Sequence, residues 1–440
     1  MNFLRAGVLV IATRCFAAIG GLVFFTLLAR HLGPDGFGTV SIALTIVTVS
    51  GLFMQVGLPT YLAKEASVCD AGQVSNVLSI GLTSIITHLP IVAAFVLVGH
   101  QVLGLGDHVP ALDLVVFGVL IFFCSASSLS IASVTRARGA LVLSTLGENV
   151  ARPFILISTA GLILVTLADA YLNIRTVLAI SLFASFSTML TVVVIARKVL
   201  SISAADMLWN AGELPDWHKL MPLGLYALIQ GLAGNFETLI AGLMLTSSEV
   251  GHLKAALQVG AIAMLGLTAL NQMVGPSVAR LHSVTNKAAL QDVLLRHAVL
   301  ISFVSILPCV IFLVFAEHIV VFVFGDQYER AAVALRFVAG SHLINLLFGP
   351  TGMLLNMTNN APTTLRWLSY GLLLSALFGP ALGHLLGLSG IGISMLAASM
   401  LWNVGLRIEV KKRLSVESSG AYYCMQILLL RFRSNRRSMK

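Results

Sequence analysis

The chain has 440 residues, 58% of them apolar and 10% charged, with a formal net charge of +9. A typical soluble domain is roughly 25% charged, so this composition excludes a water-soluble globular protein and points to one dissolved in a bilayer. The surplus of bases reads as a topology signal and a lipid-facing tail, and nucleic-acid binding is set aside.

Apolar stretches long enough to cross a ~30 Å hydrocarbon layer as helices fall at about 6–29, 38–60, 77–99, 111–133, 150–168 and 176–196. Six more follow at 221–244, 250–275, 296–316, 332–356, 366–386 and 388–408. Twelve spans leave both termini on one side. Threading the chain this way collects twenty-one of the 27 Lys and Arg on that side, and the positive-inside rule makes it cytoplasmic. The expected fold class is all-α integral membrane: a six-helix bundle at 1–200, a cytoplasmic linker at 201–220, a second bundle at 221–408 and a basic tail at 409–440.

The first span opens after Arg5, much as a signal peptide would, but its apolar run is too long for an h-region and is expected to remain. Within it stands Arg14. A mid-bilayer charge on a lone helix costs at least about 2.5–3.5 kcal/mol, so Arg14 needs a partner or a wet cavity. Ala17, Ala18 and Gly21 share its face at i+3, i+4 and i+7, leaving room for a ligand or a close helix. A guanidinium is also the side chain best shaped to grip phosphate. Leu32 to Gly38 (LGPDGFG) reads as a tight turn, with the Asp35 carboxylate able to cap the next helix. Glu148 and Arg152, four apart, read as an i,i+4 pair at the cytoplasmic rim, where they are gate candidates.

The linker carries Trp209, Pro215 and Trp217, residues suited to the headgroup level. In span seven Tyr226, Gln230, Gly234, Glu237, Thr238 and Ala241 follow helical spacing along one face. Glu237 is the acid nearest mid-membrane; there it either pairs with a cation such as Arg14 or carries a proton. The segment 276–295 reads as an interfacial helix leading into span nine. Span ten carries Arg336, His342, Asn345, Gly349, Gly352 and Asn356, with Pro350 able to bend it. A bend with freed carbonyls is tolerated only against protein or water, so this face is expected to line a central space, with His342 and Asn345 among its polar groups. His88, His297, His384, Asn271 and Gln272 read as packing residues. The tail, with Arg431, Arg433, Arg436 and Arg437, suits anionic lipid.

Five cysteines, at Cys15, Cys69, Cys124, Cys309 and Cys424, never pair at metal or redox spacing. No Gly-rich phosphate loop, metal cluster or nucleophile elbow is present, so no catalytic residue is assigned and ATP hydrolysis is set aside. A polymerase or glycosyltransferase would work through acids in outer loops, but Asp107, Asp113, Glu317, Asp326 and Glu329 are few and their loops short.

A faint internal repeat relates the halves. Phe37-Gly38 and Ala43-Leu44 align with Val250-Gly251 and Ala256-Leu257 at a single offset of 213, and two repeated six-helix bundles are a common transporter plan. The stretches ARHLGPDGFGTVSIALTIVTVSGLFMQVGLPTYLAKEA (29–66), NFETLIAGLMLTSSEVGHLKAALQV (235–259), VGPSVARL (274–281) and FGDQYERAAVALRFVAGSHLINLLFGPTGMLLNMTNN (324–360) resemble the bacterial polysaccharide-unit flippases. That family supplies O-antigen and exopolysaccharide assembly. It belongs with MATE-type drug exporters and lipid II flippases in the multidrug/oligosaccharidyl-lipid/polysaccharide exporter superfamily. Two departures are Glu237, where the family usually has Asp, and His252-Leu253, which replaces its x-Tyr after Gly251.

The resemblance implies a MATE-like inner-membrane flippase for a polyprenyl-diphosphate-linked oligosaccharide. Its substrate cavity is expected to include Arg14, Gln230, Glu237, His342 and Asn345. No cofactor is implied beyond a coupling proton or sodium ion. A polysaccharide polymerase and a chain-length regulator are the partners such a system has. A cation-coupled drug exporter is the rival reading.

Overall fold

The computed structural model describes residues 3–55, 57–166, 173–200, 217–283, 287–301 and 305–417, and every regular element among them is helical. Helix α1 (Phe3–Gln55) absorbs the first two predicted spans. They meet at a kink where Gly33 has φ 65° and ψ 176°, a conformation open to glycine and costly for L side chains, and Pro34 follows. The expected turn is thus a kink inside one long helix. Its start is not capped by the Asp35 carboxylate; instead the Asp35 carbonyl accepts from Thr39 Oγ1 at 2.9 Å.

The chain continues through α2 (Leu58–Val68), α3 (Val74–Val102), α4 (Ala111–Ala137), α5 (Leu141–Asn149), α6 (Ala151–Thr166) and α7 (Ile174–Leu200). Then come α8 (Trp217–Ala233) and α9 (Phe236–Met244), with a 54° bend between them, and α10 (Ser247–Ser283) and α11 (Lys287–Ile301). Helices α12 (Leu307–Val314) and α13 (Ala316–Phe324) meet at 87°. The last four are α14 (Ala331–Phe348), α15 (Thr351–Met357), α16 (Ala361–Leu386) and α17 (Leu388–Leu414). Among the described residues eight helices are long and apolar enough to cross a membrane, or ten if each bent pair is one span. Phe183 and Phe186 on α7 and Leu377 and Phe378 on α16 are exposed, as a lipid-facing surface requires. The chain is a multi-pass membrane protein.

Contacts divide it into two compact units, Met1–Lys254 and Ala255–Lys440. In the first, α4 packs along α3 and α7, while α1 packs along α3, α6 and α8. Most of the expected linker, 201–216, lies outside the described residues, as do Trp209 and Pro215. In the second, α17 packs on α16 and α14. Glycines let aromatic rings interlock there: a Cβ on Gly405 would stand 2.1 Å from Trp367, and one on Gly371 2.5 Å from Trp402. With lipid as apolar as the side chains, such close packing is what holds membrane helices together.

Three expectations are corrected. Residues 276–295 do not form one interfacial helix: α10 runs on to Ser283, and α11 starts afresh at Lys287. Their apolar positions, Val278, Leu290 and Leu294, are buried with Leu354, Leu406 and Val410, so they bury against protein rather than headgroups. Span seven is not one helix either. It breaks at Gly234-Asn235, so the six-residue polar face is not continuous. Glu148 and Arg152 likewise sit on two helices, α5 and α6. The break expected at Pro350 is present, between α14 and α15, with Gly349 at φ 79°.

Candidate functional site

In the first unit α1, α4, α5, α6 and α7 enclose a cavity of about 400 Å³. Gln55 and Thr48 come from α1, Ser125 and Ser128 from α4, Glu148 and Asn149 from α5, Arg152 from α6, and Ser185 and Thr188 from α7. Serine and threonine can face a helical groove inside a membrane protein because their hydroxyls return to the backbone: Thr188 Oγ1 donates to Ala184 O at 2.7 Å, and Thr48 Oγ1 to Leu44 O at 2.7 Å. Ser125 Oγ donates to Ser185 Oγ at 3.3 Å, tying α4 to α7. The break between α5 and α6 turns the Glu148 carboxylate to Arg136 of α4, whose Nη1 binds its Oε2. Arg152 feels the Glu148 charge, but the ion pair belongs to Arg136. Periodicity found Glu148 and Arg152 but paired them wrongly, because the partner comes from another helix.

Arg14 is exposed on α1, and no ion pair to it forms among the described residues. Ala17, one turn on, lines the cavity. Gly21 has open space around it, whereas its neighbour Gly20 touches α6, a Cβ there standing 2.7 Å from that of Pro153. The tight helix contact thus falls one residue away from the Arg14 face, and that face keeps its room.

Gln230 is exposed near the end of α8. Glu237 lies in the first turn of α9, where free backbone N–H groups and the helix dipole favour a carboxylate. It is half-buried, and the cation acting on it is Lys254 of α10, not Arg14. Spacing within span seven does not reveal Lys254, because it belongs to another helix, seven residues after its start at Ser247. Tyr226 has no described side chain.

In the second unit His342 and Asn345 are half-buried on α14. His342 lies beside Gly260 of α10, where a Cβ would stand 3.5 Å from its Nε2. Next to it the Ser341 carbonyl accepts from Ser399 Oγ at 3.2 Å, and the Ser399 carbonyl accepts from Asn403 Nδ2 at 2.9 Å. His88 is buried in α3 and bonds the Ser84 carbonyl through Nδ1, a packing role as expected. His297, Gln272 and the tail arginines lie outside what is described. No cluster of metal-ligating side chains occurs among the described residues.

Known proteins agree with this architecture. An inward-facing multidrug resistance MATE transporter of the MOP superfamily superposes with a TM-score of 0.69 at 13% identity, over 93% of this chain and 98% of that one. An outward-facing MATE structure gives 0.61 at 13% identity, over 94% and 95%. A MOP superfamily transporter from Pyrococcus furiosus, described as having a binding pocket of reverse polarity, gives 0.61 at 13% over 93% and 96%. At that identity the likeness is one of fold. A probable low-salt glycan biosynthesis flippase, Agl15 of Haloferax volcanii, is 27% identical over 140 residues, 31% of this chain and 28% of that protein. The match spans under a third of that relative. The profile of one family covers residues 27–333, from before the Gly33 kink into α14. On that match the chain belongs to the polysaccharide biosynthesis protein family, with the fold of the MOP superfamily transporters.

Proposed function

We propose that this protein is a flippase that carries a polyprenyl-diphosphate-linked oligosaccharide from the cytoplasmic to the outer leaflet of a bacterial inner membrane, for surface polysaccharide assembly. The observation that carries the reading is the family match over residues 27–333. The base asymmetry supports cytoplasmic termini, and the basic tail suits anionic lipid. Arg14, Gln230 and Glu237 in the first unit and His342 and Asn345 in the second are the residues assigned to substrate contact, while Glu148 and Arg152 act at the cytoplasmic rim. The lipid tail stays in the bilayer as the head crosses. A membrane potential, negative inside, favours expelling an anionic head by roughly 2.3 kcal/mol per charge per 100 mV, and a proton or sodium gradient adds to it. A polymerase and a chain-length regulator take over the product.

The test is reconstitution in vesicles with lipid-linked oligosaccharide in one leaflet. Transfer to the other leaflet that depends on the protein and on the diphosphate supports the reading. Export of cationic drugs without lipid transfer replaces it with a MATE-type exporter, for which the fold likeness speaks.

A further inference from the structure

We propose that the cavity inside the first unit is an oxyanion site, with Arg152 and Ser128 as its principal donors for a diphosphate-type group. In its lipid form it rests on the flippase reading, as the subsite that holds the diphosphate of the translocated head.

Charge and unmet hydrogen bonding both point this way. Three charged side chains stand at the cavity: Glu148 and Arg152 line it, and Arg136 binds Glu148 from α4. They leave one positive charge over. The carboxylate that could neutralise Arg152 is already engaged by Arg136, and Arg152 is exposed to the cavity with no hydrogen bond formed among the described residues. A guanidinium carries five donors in a planar fork that matches phosphate oxygens.

Ser128 supplies the second, independent sign. It lines the cavity, is 4% exposed, and its Oγ has no hydrogen-bond partner among the described residues. Ser127 and Ser130 of the same helix are unmet too, but of the three only Ser128 lines the cavity, where an acceptor arriving with a ligand would meet the cost of a buried unpaired hydroxyl. Gln55 and Asn149, at the same wall, add amide donors. At about 400 Å³ the space falls in the range of small-molecule pockets, roughly 300–1,000 Å³, and exceeds what one bridging water needs.

The experiment uses the full chain in lipid nanodiscs. Three probes are titrated: inorganic diphosphate, a short-chain prenyl diphosphate, and the matching prenol. Wild-type protein is expected to bind at least one diphosphate saturably and the prenol without saturation. Binding of inorganic diphosphate alone marks the source as a free anion; binding of the prenyl diphosphate marks it as a lipid head.

Arg152→Gln is expected to weaken binding about tenfold or more, and Arg152→Lys less, because the fork is lost but the charge kept. Ser128→Ala removes an unpaired hydroxyl, so it is expected to leave the empty protein at least as stable while weakening diphosphate binding a few-fold. That variant decides the matter if Arg152→Gln does not fold. No saturable binding of either diphosphate overturns the site, and so does wild-type affinity in Ser128→Ala together with any folded Arg152 variant. Diphosphate binding with these responses, in a protein that moves no lipid-linked sugar, would sink the flippase reading and keep the site.

Discussion

Gly38 and Gly251 meet backbone to backbone. A Cβ on Gly38 would stand 1.7 Å from the Ser247 carbonyl oxygen and 2.9 Å from the Gly251 nitrogen, and one on Gly251 would stand 2.1 Å from the Pro34 carbonyl oxygen. These are the same two positions that the internal repeat aligns, so equivalent residues of the repeat touch each other where α1 and the start of α10 cross. Helices come this close only where neither has a side chain in the way.

Alanine at either glycine should therefore force the helices apart. Gly38→Ala and Gly251→Ala are each expected to destabilise the protein by about 1–3 kcal/mol or more. Gly21→Ala, with open space around it, should stay near wild type. Thermal unfolding in detergent, followed by size-exclusion chromatography, makes the comparison; equal midpoints for Gly38→Ala and Gly21→Ala would refute the contact.

Glu237 and Lys254 should behave as a coupled pair. Either Glu237→Gln or Lys254→Gln leaves a half-buried charge without its counter-charge, and the double variant removes both. We expect the double variant to recover most of the stability lost by each single one. Transport of lipid-linked sugar under an imposed proton or sodium gradient is expected to stay low in the double variant if Glu237 couples transport. Recovery there would assign Glu237 to packing. Glu237→Asp should keep most activity, since Asp keeps the carboxylate.

Arg14 is exposed and holds no ion pair among the described residues, so its loss should leave folding alone. Arg14→Ala is expected to reach the membrane at near-normal abundance yet abolish polysaccharide export, with Arg14→Lys partly active because one point charge replaces the paired donors. Immunoblots beside surface-polysaccharide gels separate the two effects. Full export in Arg14→Ala would remove it from the substrate path.

The proposed orientation predicts labelling. Single cysteines at Asp35 and Gln327, both exposed, should react with an impermeant thiol reagent added to intact cells, whereas cysteines at Ser75 and Ser434 should not. Reaction at Ser434 from outside would invert the topology.

Composition alone determined that this chain lives in a bilayer, because a chain with 10% charged residues cannot cover itself in water. Periodicity located most helices, since a span must satisfy its own backbone hydrogen bonds and so leaves a long unbroken apolar run. The glycines at 33 and 349 marked real breaks, because their backbone angles are ones side chains resist. Partnership was another matter. That Glu148 belongs to Arg136, that Lys254 acts on Glu237, and that α8 and α9 part at Gly234-Asn235 depend on which helices pack together. Inside one helix, spacing dictates neighbours. Between helices, neighbours are set by packing over the whole unit, and the cavity around Ser128 and Arg152 exists only once five separate helices have closed around it.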